Sequence, residues 1–333
     1  MTQPVFLRVT PALLLAALLG ACGGSADKTV IIKFPHVTAP ATPKGQTAER
    51  FRQLVEQRLA GRVRVEVYPS SQLMNDDDSI DALALGEIQM IAVSLSKFDR
   101  FTHEFQVFDL PFLFPNLDVV ERFQGSPAGQ ALLSAPADRG IMGLAYWHNG
   151  MKQFSAPRPL RRPEDARGLK FRIMESDVLQ AQIEQIGGNP QKMAFGEVYQ
   201  ALQTGAVDAQ ENTWSNMYSS KFYEVQKYLV ETNHGYLGYL VAVNPKFWNT
   251  LPAEIRTELN AIIEEVSRWG NDQAAAINRR DKDKIAASNQ CEIIELSNDE
   301  LAAWRAVMRP AWDQFAAVIG TDVIAAALSA SRP

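Results

Sequence analysis

The chain has 333 residues, of which 46% are hydrophobic and 21% charged, and this composition is typical of globular proteins. A chain of this length is expected to form about two domains. The net charge of -5 gives no basis for a nucleic-acid partner. Because the molecule as a whole is acidic, a site for an anion would need positive charge placed locally.

The first residues have the features of a processing segment rather than of a domain. Residues 11–20 form an apolar run about half as long as a bilayer span, and small residues then precede Cys22 as in a bacterial lipobox. We therefore predict residues 1–21 as a lipoprotein signal peptide, with lipid attached to the sulfur of Cys22. An ordinary signal peptide that contains a cysteine is the alternative.

Residues 29–93 predict alternating strands and helices. Apolar periodicity and turn residues place strands over 29–34, 62–68 and 88–93, and helices over 48–59 and 76–86. This order is the βαβαβ unit of a sheet with parallel neighbours. The intervening loop over residues 36–45 carries Lys44.

A second α/β block follows a strand predicted over residues 141–147. From Gly168 the pattern predicts, in chain order, a strand at 170–173, a helix capped by Ser176, a helix at 195–205, a strand at 206–210 and a strand at 236–243. Residues 252–289 then predict one helix on the order of 55 Å long. It should brace both domains, or else pair with a second copy as a coiled coil. A last helix over 298–320 should break near Pro310.

The stretch from Gly168 to Asn216 carries the most informative chemistry. Arg172 lies mid-strand, and Asn212, Trp214 and Asn216 follow directly after a strand-like segment. In α/β proteins, ligands gather in the crevice beyond the strand ends. A guanidinium there offers a planar fork that matches one carboxylate bidentately.

This stretch resembles the solute-binding proteins of tripartite ATP-independent periplasmic (TRAP) transporters, the DctP family. The similar segments are GLKFR, MAFGEVYQALQTGAVD, QEN, KFYEVQKY and NHGYLGY. Within that family, the wording NTWSN is most similar to members that bind four-carbon dicarboxylates. The resemblance covers nearly the whole chain after residue 30, and it implies that Arg172 grips a ligand carboxylate.

The resemblance implies an α/β, periplasmic-binding-protein-like fold, in which two α/β lobes are joined by hinge strands and a long bracing helix. Lobe I is expected over residues 27–149 plus about 239–280. Lobe II is expected over residues 150–238 plus about 281–333. The ligand is expected in the cleft between the lobes.

A dianion moved from water into a cleft needs compensating charge. Besides Arg172, the candidates are Lys152 and Lys44. Lys152 follows Asn149-Gly150, where many relatives carry arginine, so this chain has a point charge in place of a fork. Lys44 could reach across from lobe I when the cleft closes. The alternatives are a salt bridge for Arg172 and a solvated strand end for Lys152.

Polar and aromatic candidates complete the expected site. Asn212 and Asn216 can donate amide hydrogens to carboxylate oxygens, or they can simply form turns and helix caps. The remaining candidates line the cleft or else belong to the core. Phe195 and Trp214 would wall the cleft, and Ser94, Ser96 and Tyr239 would offer hydroxyls.

Motifs for catalysis and for metal or cofactor binding are absent from the sequence. The four histidines are far apart, and there is no H-E-x-x-H, G-x-S-x-G, P-loop or C-x-x-C. Cys291, the other cysteine, is expected to be a small buried hydrophobic residue. We therefore predict a protein that is not an enzyme and that uses no cofactor.

The sequence thus predicts a receptor on the outer side of a membrane or in the periplasm, tethered by lipid and mostly monomeric, although a dimer remains open. It should capture a small dicarboxylate of the malate, succinate or fumarate type and deliver it to the membrane permease subunits of a TRAP transporter. Two alternatives remain open: the same receptor class with a monocarboxylate ligand, such as a sugar acid or 2-oxo acid, and a ligand-sensing partner of a signalling kinase.

Overall fold

The computed structural model describes Met1 and residues 29–332 of the chain. Apart from Met1, the predicted signal peptide lies outside these described residues, as does Cys22. The first half contains, in order, β1 (Val30–Pro35), α1 (Pro43–Arg58), β2 (Val63–Tyr68), α2 (Asp76–Leu85), β3 (Met90–Ser94), α3 (Leu117–Gly125), α4 (Pro127–Leu132) and β4 (Met142–Ala156).

The second half continues the alternation and then becomes helical. Its elements are β5 (Lys170–Ile173), α5 (Asp177–Gln185), β6 (Asn189–Lys192), α6 (Val198–Thr204), β7 (Ala209–Asn212), α7 (Trp214–Ser219), β8 (Tyr228–Val243), α8 (Pro245–Thr250), α9 (Ala253–Ser288), β9 (Glu292–Glu295), α10 (Asn298–Met308), α11 (Pro310–Ile319) and α12 (Thr321–Ala330). Short 3-10 turns connect several of these elements.

Helix α1 begins earlier than the apolar periodicity predicts. Thr42 caps it by accepting a hydrogen bond from the backbone N–H of Gly45, at 3.2 Å, and Pro43 occupies the first helical position. Threonine at the cap and proline at the first position both favour a helix start. Lys44 therefore lies in the first turn of a buried helix and not in a loop beside the cleft.

The predicted parallel arrangement of the first three strands is wrong at β3. Strands β1 and β2 pair in parallel, but β3 pairs antiparallel with β8 in the other sheet. The long apolar strand β8, which comes much later in the chain, lies beside β3 in that sheet. Instead of pairing with β3, strand β1 donates a hydrogen bond from the backbone N–H of Lys33 to Gln89 Oε1, at 3.0 Å.

Two long strands connect the lobes. The larger sheet has the strand order β3-β8-β4-β7-β5-β6, so β4 and β8 lie at its centre and continue from one lobe into the other. Their antiparallel register shifts between His148 and Gly150 and again between Lys152 and Phe154. Such bulges bend a strand and redirect its side chains, which makes this part of the sheet the natural hinge.

Helix α9 confirms the predicted long helix. Its 36 residues extend about 54 Å at the usual rise per residue. Leu259 and Val266 pack in a core cluster with Phe51 and Trp147, whereas Ile285 packs with Met217 of α7. The helix therefore contacts α1 and β4 toward its start and α7 toward its end.

The C-terminal helices break near Pro310 as predicted and once more at Gly320. Helix α10 packs Trp304 and Met308 with the core of lobe II. Helices α11 and α12, which the sequence boundaries assign to lobe II, place Phe315, Ile319, Ile324 and Ala327 in the cluster that contains Val120 and Phe123 of lobe I. An amphipathic pattern does not specify which lobe covers a helix, so this placement was not predictable.

Among residues 29–332, no single helix combines the length and the apolar character that a bilayer crossing requires. Helices α11 and α12 meet those criteria only when they are taken together, and they are bent by 119° at their junction.

Candidate functional site

A partly open cavity lies between the two lobes, and the space that it offers to the centre of a water-sized sphere is about 30 Å³. The wall on the lobe I side consists of Val37, Thr38, Asp76, Asp77, Ser94, Lys97 and Tyr239. The wall on the lobe II side consists of Lys152, Arg172, Met174, Ala194, Phe195, Glu211, Asn212, Asn216 and Leu237.

Arg172 projects into this cavity from β5. Its Nε and Nη2 donate to the backbone carbonyl of Met193, at 3.0 and 2.8 Å, and this holds the guanidinium in one orientation. Among the described residues, no carboxylate lies within the 4.0 Å of a salt bridge to it. Burial lowers the pKa of Arg172 to about 10, although acids in the surroundings, Glu211 first among them, oppose the shift. The side chain is therefore a buried cation with one edge still open to a ligand.

Lys152 also lines the cavity, but its charge is already matched. Its Nζ lies 2.9 Å from Glu211 Oε1 and 3.7 Å from Asp109 Oδ1. On the far side of the same carboxylate, His234 Nε2 lies 3.1 Å from Glu211 Oε2. Burial alone would raise the pKa of Glu211, yet Lys152 and His234 hold it at about 2. Lys152 thus belongs to a buried ionic cluster, and not to the solvated strand end considered from the sequence.

Lys97 is a cavity cation that the sequence reasoning did not select. It lies in the 3-10 turn after β3, is nearly fully buried, and pairs with Asp77 Oδ2 at 2.7 Å. The carboxylate of Asp77 is one-third exposed. The available signal was the position of Lys97 directly after a buried strand, three residues beyond Ser94. Lys97 and Arg172 therefore bring positive charge to the cavity from opposite lobes.

Two asparagine amides line the cavity from lobe II. Asn212 ends β7, and its Oδ1 accepts hydrogen bonds from Asn216 Nδ2 at 2.8 Å and from the backbone N–H of Thr213 at 3.0 Å. Thr213, and not Asn212, caps helix α7. Asn212 Nδ2 makes no hydrogen bond to another described residue, so its two hydrogens are available to an acceptor in the cavity. The hydroxyl of Tyr239 lies on the same network.

The lobe I wall carries two buried oxygens without a hydrogen-bond partner among the described residues: Ser94 Oγ and Asp76 Oδ1. Burial raises the pKa of Asp76, although Lys44 and Lys97 oppose the shift. A carboxyl group with a raised pKa holds its proton more readily and can then donate a hydrogen bond. Unpaired buried polar atoms are costly in a native protein, so both oxygens mark places for a ligand or a water.

Lys44 does not line the cavity. Its side chain is fully buried, donates to the carbonyl of Ala92 at 3.1 Å and lies 3.9 Å from the ring centroid of Tyr239. Burial lowers the pKa of Lys44 to about 8, with Asp76 opposing the shift. The early start of α1 places Lys44 behind Tyr239, where it supports the cavity wall and does not reach across the cleft.

Ser96 and Trp214 are likewise outside the cavity lining. Ser96 donates to Asp109 Oδ1 at 2.6 Å. Trp214 begins helix α7, packs in a core cluster of lobe II and lies 5.5 Å beneath Lys282 Nζ. Phe195, by contrast, does line the cavity and packs edge-on against Phe222.

The arrangement is suited to holding an organic anion. It combines a fixed guanidinium, an ammonium group from the other lobe, amide and hydroxyl donors, and apolar contacts from residues such as Phe195 and Leu237. The described residues contain no group of three or more His, Cys, Asp or Glu side chains placed to hold a metal ion. Two α/β lobes that share long strands and have a polar cavity between them define a periplasmic-binding-protein-like solute receptor.

Comparison with known proteins identifies the kind of receptor. The family model described as "Bacterial extracellular solute-binding protein, family 7" (DctP) matches residues 34–318, and the chain belongs to this family. This is a family of TRAP transporter solute receptors, not of enzymes; such receptors are periplasmic, bind small organic acids and work with membrane permease subunits.

Individual relatives are similar over nearly their full length. The "C4-dicarboxylate-binding periplasmic protein DctP" of Shewanella loihica is 51% identical over 318 residues, which cover 96% of this chain and 95% of that protein. A TRAP solute-binding protein of Shewanella oneidensis with bound succinate is 51% identical, with a TM-score of 0.90 over 91% of this chain and 100% of its own. One from Pseudomonas aeruginosa with bound L-malate is 46% identical, with a TM-score of 0.84 over 86% and 99%.

Proposed function

We propose that this protein captures a four-carbon dicarboxylate of the malate, succinate or fumarate type for uptake by a TRAP transporter. The observation that carries the proposal is the buried guanidinium of Arg172, which has no acidic partner among the described residues and lines the cavity between the lobes. An uncompensated buried cation is costly, and a ligand carboxylate would supply its counter-ion. Similarity to relatives with bound succinate and L-malate supports the same ligand class.

Arg172 holds one carboxylate through the donors that Met193 leaves free, assisted by the amide of Asn212. Lys97 attracts the second carboxylate from the lobe I side, where the hydroxyl of Ser94 donates a hydrogen bond. Asn216 and Tyr239 complete the polar wall, and Phe195 covers the carbon chain. Lys152 contributes through the field of its ionic cluster, and Lys44 through its support of Tyr239.

Capture couples to closure because the ligand contacts both lobes. A ligand shifts an open–closed equilibrium only by its differential contacts with the two forms. Direct hydrogen bonds between the lobes would add to the contacts of the ligand. Ser176 Oγ, for example, donates to Asp109 Oδ2 at 2.8 Å. As lobe boundaries we propose residues 27–149 plus about 239–280 for lobe I, and 150–238 plus about 281–333 for lobe II. Helices α11 and α12 join a core cluster to which both lobes contribute side chains.

Titration calorimetry with succinate and butyrate tests the ligand class, because butyrate has the same chain length with one carboxylate replaced by a methyl group. Lys97→Met should weaken succinate binding about 10- to 100-fold, the range expected for one charged hydrogen bond. Butyrate binding should change little. The control is Arg100→Met. Arg100 lies three residues after Lys97, is exposed, and pairs with Asp81.

Equal losses for succinate and butyrate would contradict the dicarboxylate assignment. Tighter binding of a sugar acid or 2-oxo acid than of succinate would favour the monocarboxylate alternative. Reconstitution with the permease subunits separates transport from sensing: ligand binding without any uptake would favour the partner of a signalling kinase.

We further propose that lipid on Cys22 anchors the mature receptor in the periplasm and that it acts mainly as a monomer. The support is the run of small residues before Cys22 in the sequence. Detergent phase partitioning of the expressed full chain should place it in the detergent phase and Cys22→Ala in the aqueous phase. Identical partitioning of both would refute the anchor, and a mass twice that of the chain in light scattering would refute the monomer.

A further inference from the structure

Asn149 occupies the bulge of β4, at the point where the strand passes between the lobes. Tyr239 pairs with Trp147 and Leu237 pairs with Gly150, so Asn149 belongs to the extra length that the register shift creates. A bulge redirects the side chain that it carries. The amide of Asn149 is fully buried and points toward the back of the cavity wall, where it contacts residues from both lobes.

The hydrogen bonds of this amide join the two walls. Asn149 Nδ2 donates to the hydroxyl of Tyr239 at 2.5 Å and to Asn216 Oδ1 at 3.1 Å. Asn149 Oδ1 accepts from Thr213 Oγ1 at 2.8 Å. Tyr239 lies on the lobe I side of the cavity, and Asn216 and Thr213 belong to helix α7 and its cap in lobe II. A rotation about the bulge would separate these partners and break at least one bond.

The same bonds fix the direction in which the cavity amides point. Because Asn149 donates to Asn216 Oδ1, the Asn216 amide must present Nδ2 on its other side, where it donates to Asn212 Oδ1 at 2.8 Å. Asn212 is then left with Nδ2 facing the cavity. Reversal of the Asn212 amide would turn its oxygen toward the bound anion and set its Nδ2 against two donors, Asn216 Nδ2 and the backbone N–H of Thr213. Reversal of the Asn216 amide would set its oxygen against the acceptor Asn212 Oδ1.

Asn278 of α9 ties this network to the bracing helix. Its Nδ2 donates to the backbone carbonyl of Asn149 at 2.6 Å, and its Oδ1 accepts from the backbone N–H of Ser215 at 3.0 Å. The helix can come this close because residue 150 is glycine: a Cβ there would lie 2.8 Å from Asn278 Nδ2. One side chain of α9 therefore contacts the hinge strand and the first turn of α7 together.

We propose that Asn149, braced by Asn278, is a positioning residue that orients the Asn216 and Asn212 amides toward the ligand and favours the closed arrangement of the lobes. The inference rests on the proposed function, because it takes the interlobe cavity as the anion site. Neither residue lines the cavity, so each acts through Asn216 and not through contact with the ligand.

A matched pair of α9 variants tests the brace. Asn271 lies on the same helix and also binds β4, accepting from the backbone N–H of His148 at 2.7 Å and donating to the carbonyl of Tyr146 at 3.1 Å, but it has no link to the cavity amides. Asn278→Ala and Asn271→Ala should lower the melting temperature to a similar extent. Only Asn278→Ala should weaken succinate binding, by about 2- to 30-fold, the usual size of indirect coupling.

A double-mutant cycle tests the route of action. If Asn149 acts through Asn216, then Asn149→Ala together with Asn216→Ala should bind succinate no more weakly than Asn216→Ala alone. Small-angle X-ray scattering supplies a second readout: at saturating succinate, Asn149→Ala should retain a larger radius of gyration than the wild type. A merely structural role would change neither the additivity nor the extent of closure.

The outcomes separate this inference from the proposed function. If the wild type binds no dicarboxylate, the function fails, and the cycle is repeated with whichever organic acid of a thermal-shift panel does bind. If the wild type binds succinate but Asn278→Ala matches Asn271→Ala in affinity, the brace fails. Additive losses for Asn149→Ala and Asn216→Ala would overturn the route through Asn216.

Discussion

Replacement of Arg172 by alanine is the most direct test of the site. Two of the five guanidinium hydrogens, one on Nε and one on Nη2, are used by the carbonyl of Met193. The remaining three include the pair on Nη1 and Nη2 that forms a bidentate fork. Removal of one partner of a desolvated charge pair costs about 2–5 kcal/mol. The dissociation constant for succinate should therefore rise by about 30-fold to several-thousand-fold.

A thermal shift assay makes the expected loss visible. At a succinate concentration about 1,000 times the wild-type dissociation constant, binding stabilises the wild type by about 4 kcal/mol. If Arg172→Ala binds 1,000-fold more weakly, the same concentration stabilises the variant by only about 0.4 kcal/mol. Without ligand, the variant should melt close to the wild type, because loss of the Met193 contacts is offset by removal of a buried cation.

Two further variants sharpen this test. Arg172→Lys keeps the charge but loses the fork, so its affinity should lie between those of the wild type and the alanine variant. Arg161→Ala removes a half-exposed arginine of lobe II that lies outside the cavity, and it should bind normally. Wild-type affinity in Arg172→Ala, with the fold intact, would refute the assignment of Arg172 as the ligand anchor.

Three other predictions concern the surroundings of the site. Lys152→Met leaves two buried carboxylates without their cation, and it should lower the free energy of unfolding in urea by about 3–5 kcal/mol. The double variant Lys152→Met with Glu211→Gln should recover much of this lost stability. Additive losses in the two variants would disprove the ionic cluster. Burial lowers the pKa of His148 to about 4, so between about pH 6.5 and 4 the native state binds fewer protons than the unfolded state. Acidification across this window should lower the stability of the wild type by about 3 kcal/mol, a loss that His148→Gln should not show. Parallel profiles of stability against pH for the two proteins would contradict this prediction. Gly150→Ala should lose about 1–3 kcal/mol of unfolding free energy, because its Cβ would lie 2.8 Å from the side chain of Asn278. In the control Gly125→Ala, the Cβ would have nothing within 4 Å, and no stability should be lost. Equal losses in the two variants would contradict the close approach of α9.

Local signals in the sequence were sufficient for elements whose ends are set by their own residues. Helix α2 begins after its cap Asn75 with three aspartates, which suit the positive end of the helix dipole, and ends at Gly86 with φ 85°. Ser176 caps α5 as predicted. The length of α9 also followed from an uninterrupted run of helix-forming residues.

Long-range partners could not be read in this way. The pairing of β3 with β8 joins segments about 150 residues apart, and no local pattern distinguishes it from a parallel pairing with β1. Trp214 is an aromatic residue of the kind that lines clefts, and we predicted it to do so. Which side of α7 faces the cavity, however, depends on how α9 packs against that helix. The position of Asn149 in a bulge likewise exists only once β4 and β8 are paired.

The charges of the cavity illustrate the same limit, and they explain how an acidic protein can bind an anion. The sequence shows which side chains are cationic, whereas pairing in the folded protein decides which of them can attract an anion. Lys152 is matched by Glu211 and Asp109, and Lys97 is paired with the partly exposed Asp77. Of the three cations in the cavity lining described above, Arg172 alone has no carboxylate within 4.0 Å. An acidic protein can therefore bind an anion, because Arg172 is a buried cation that none of the nearby carboxylates pairs with directly.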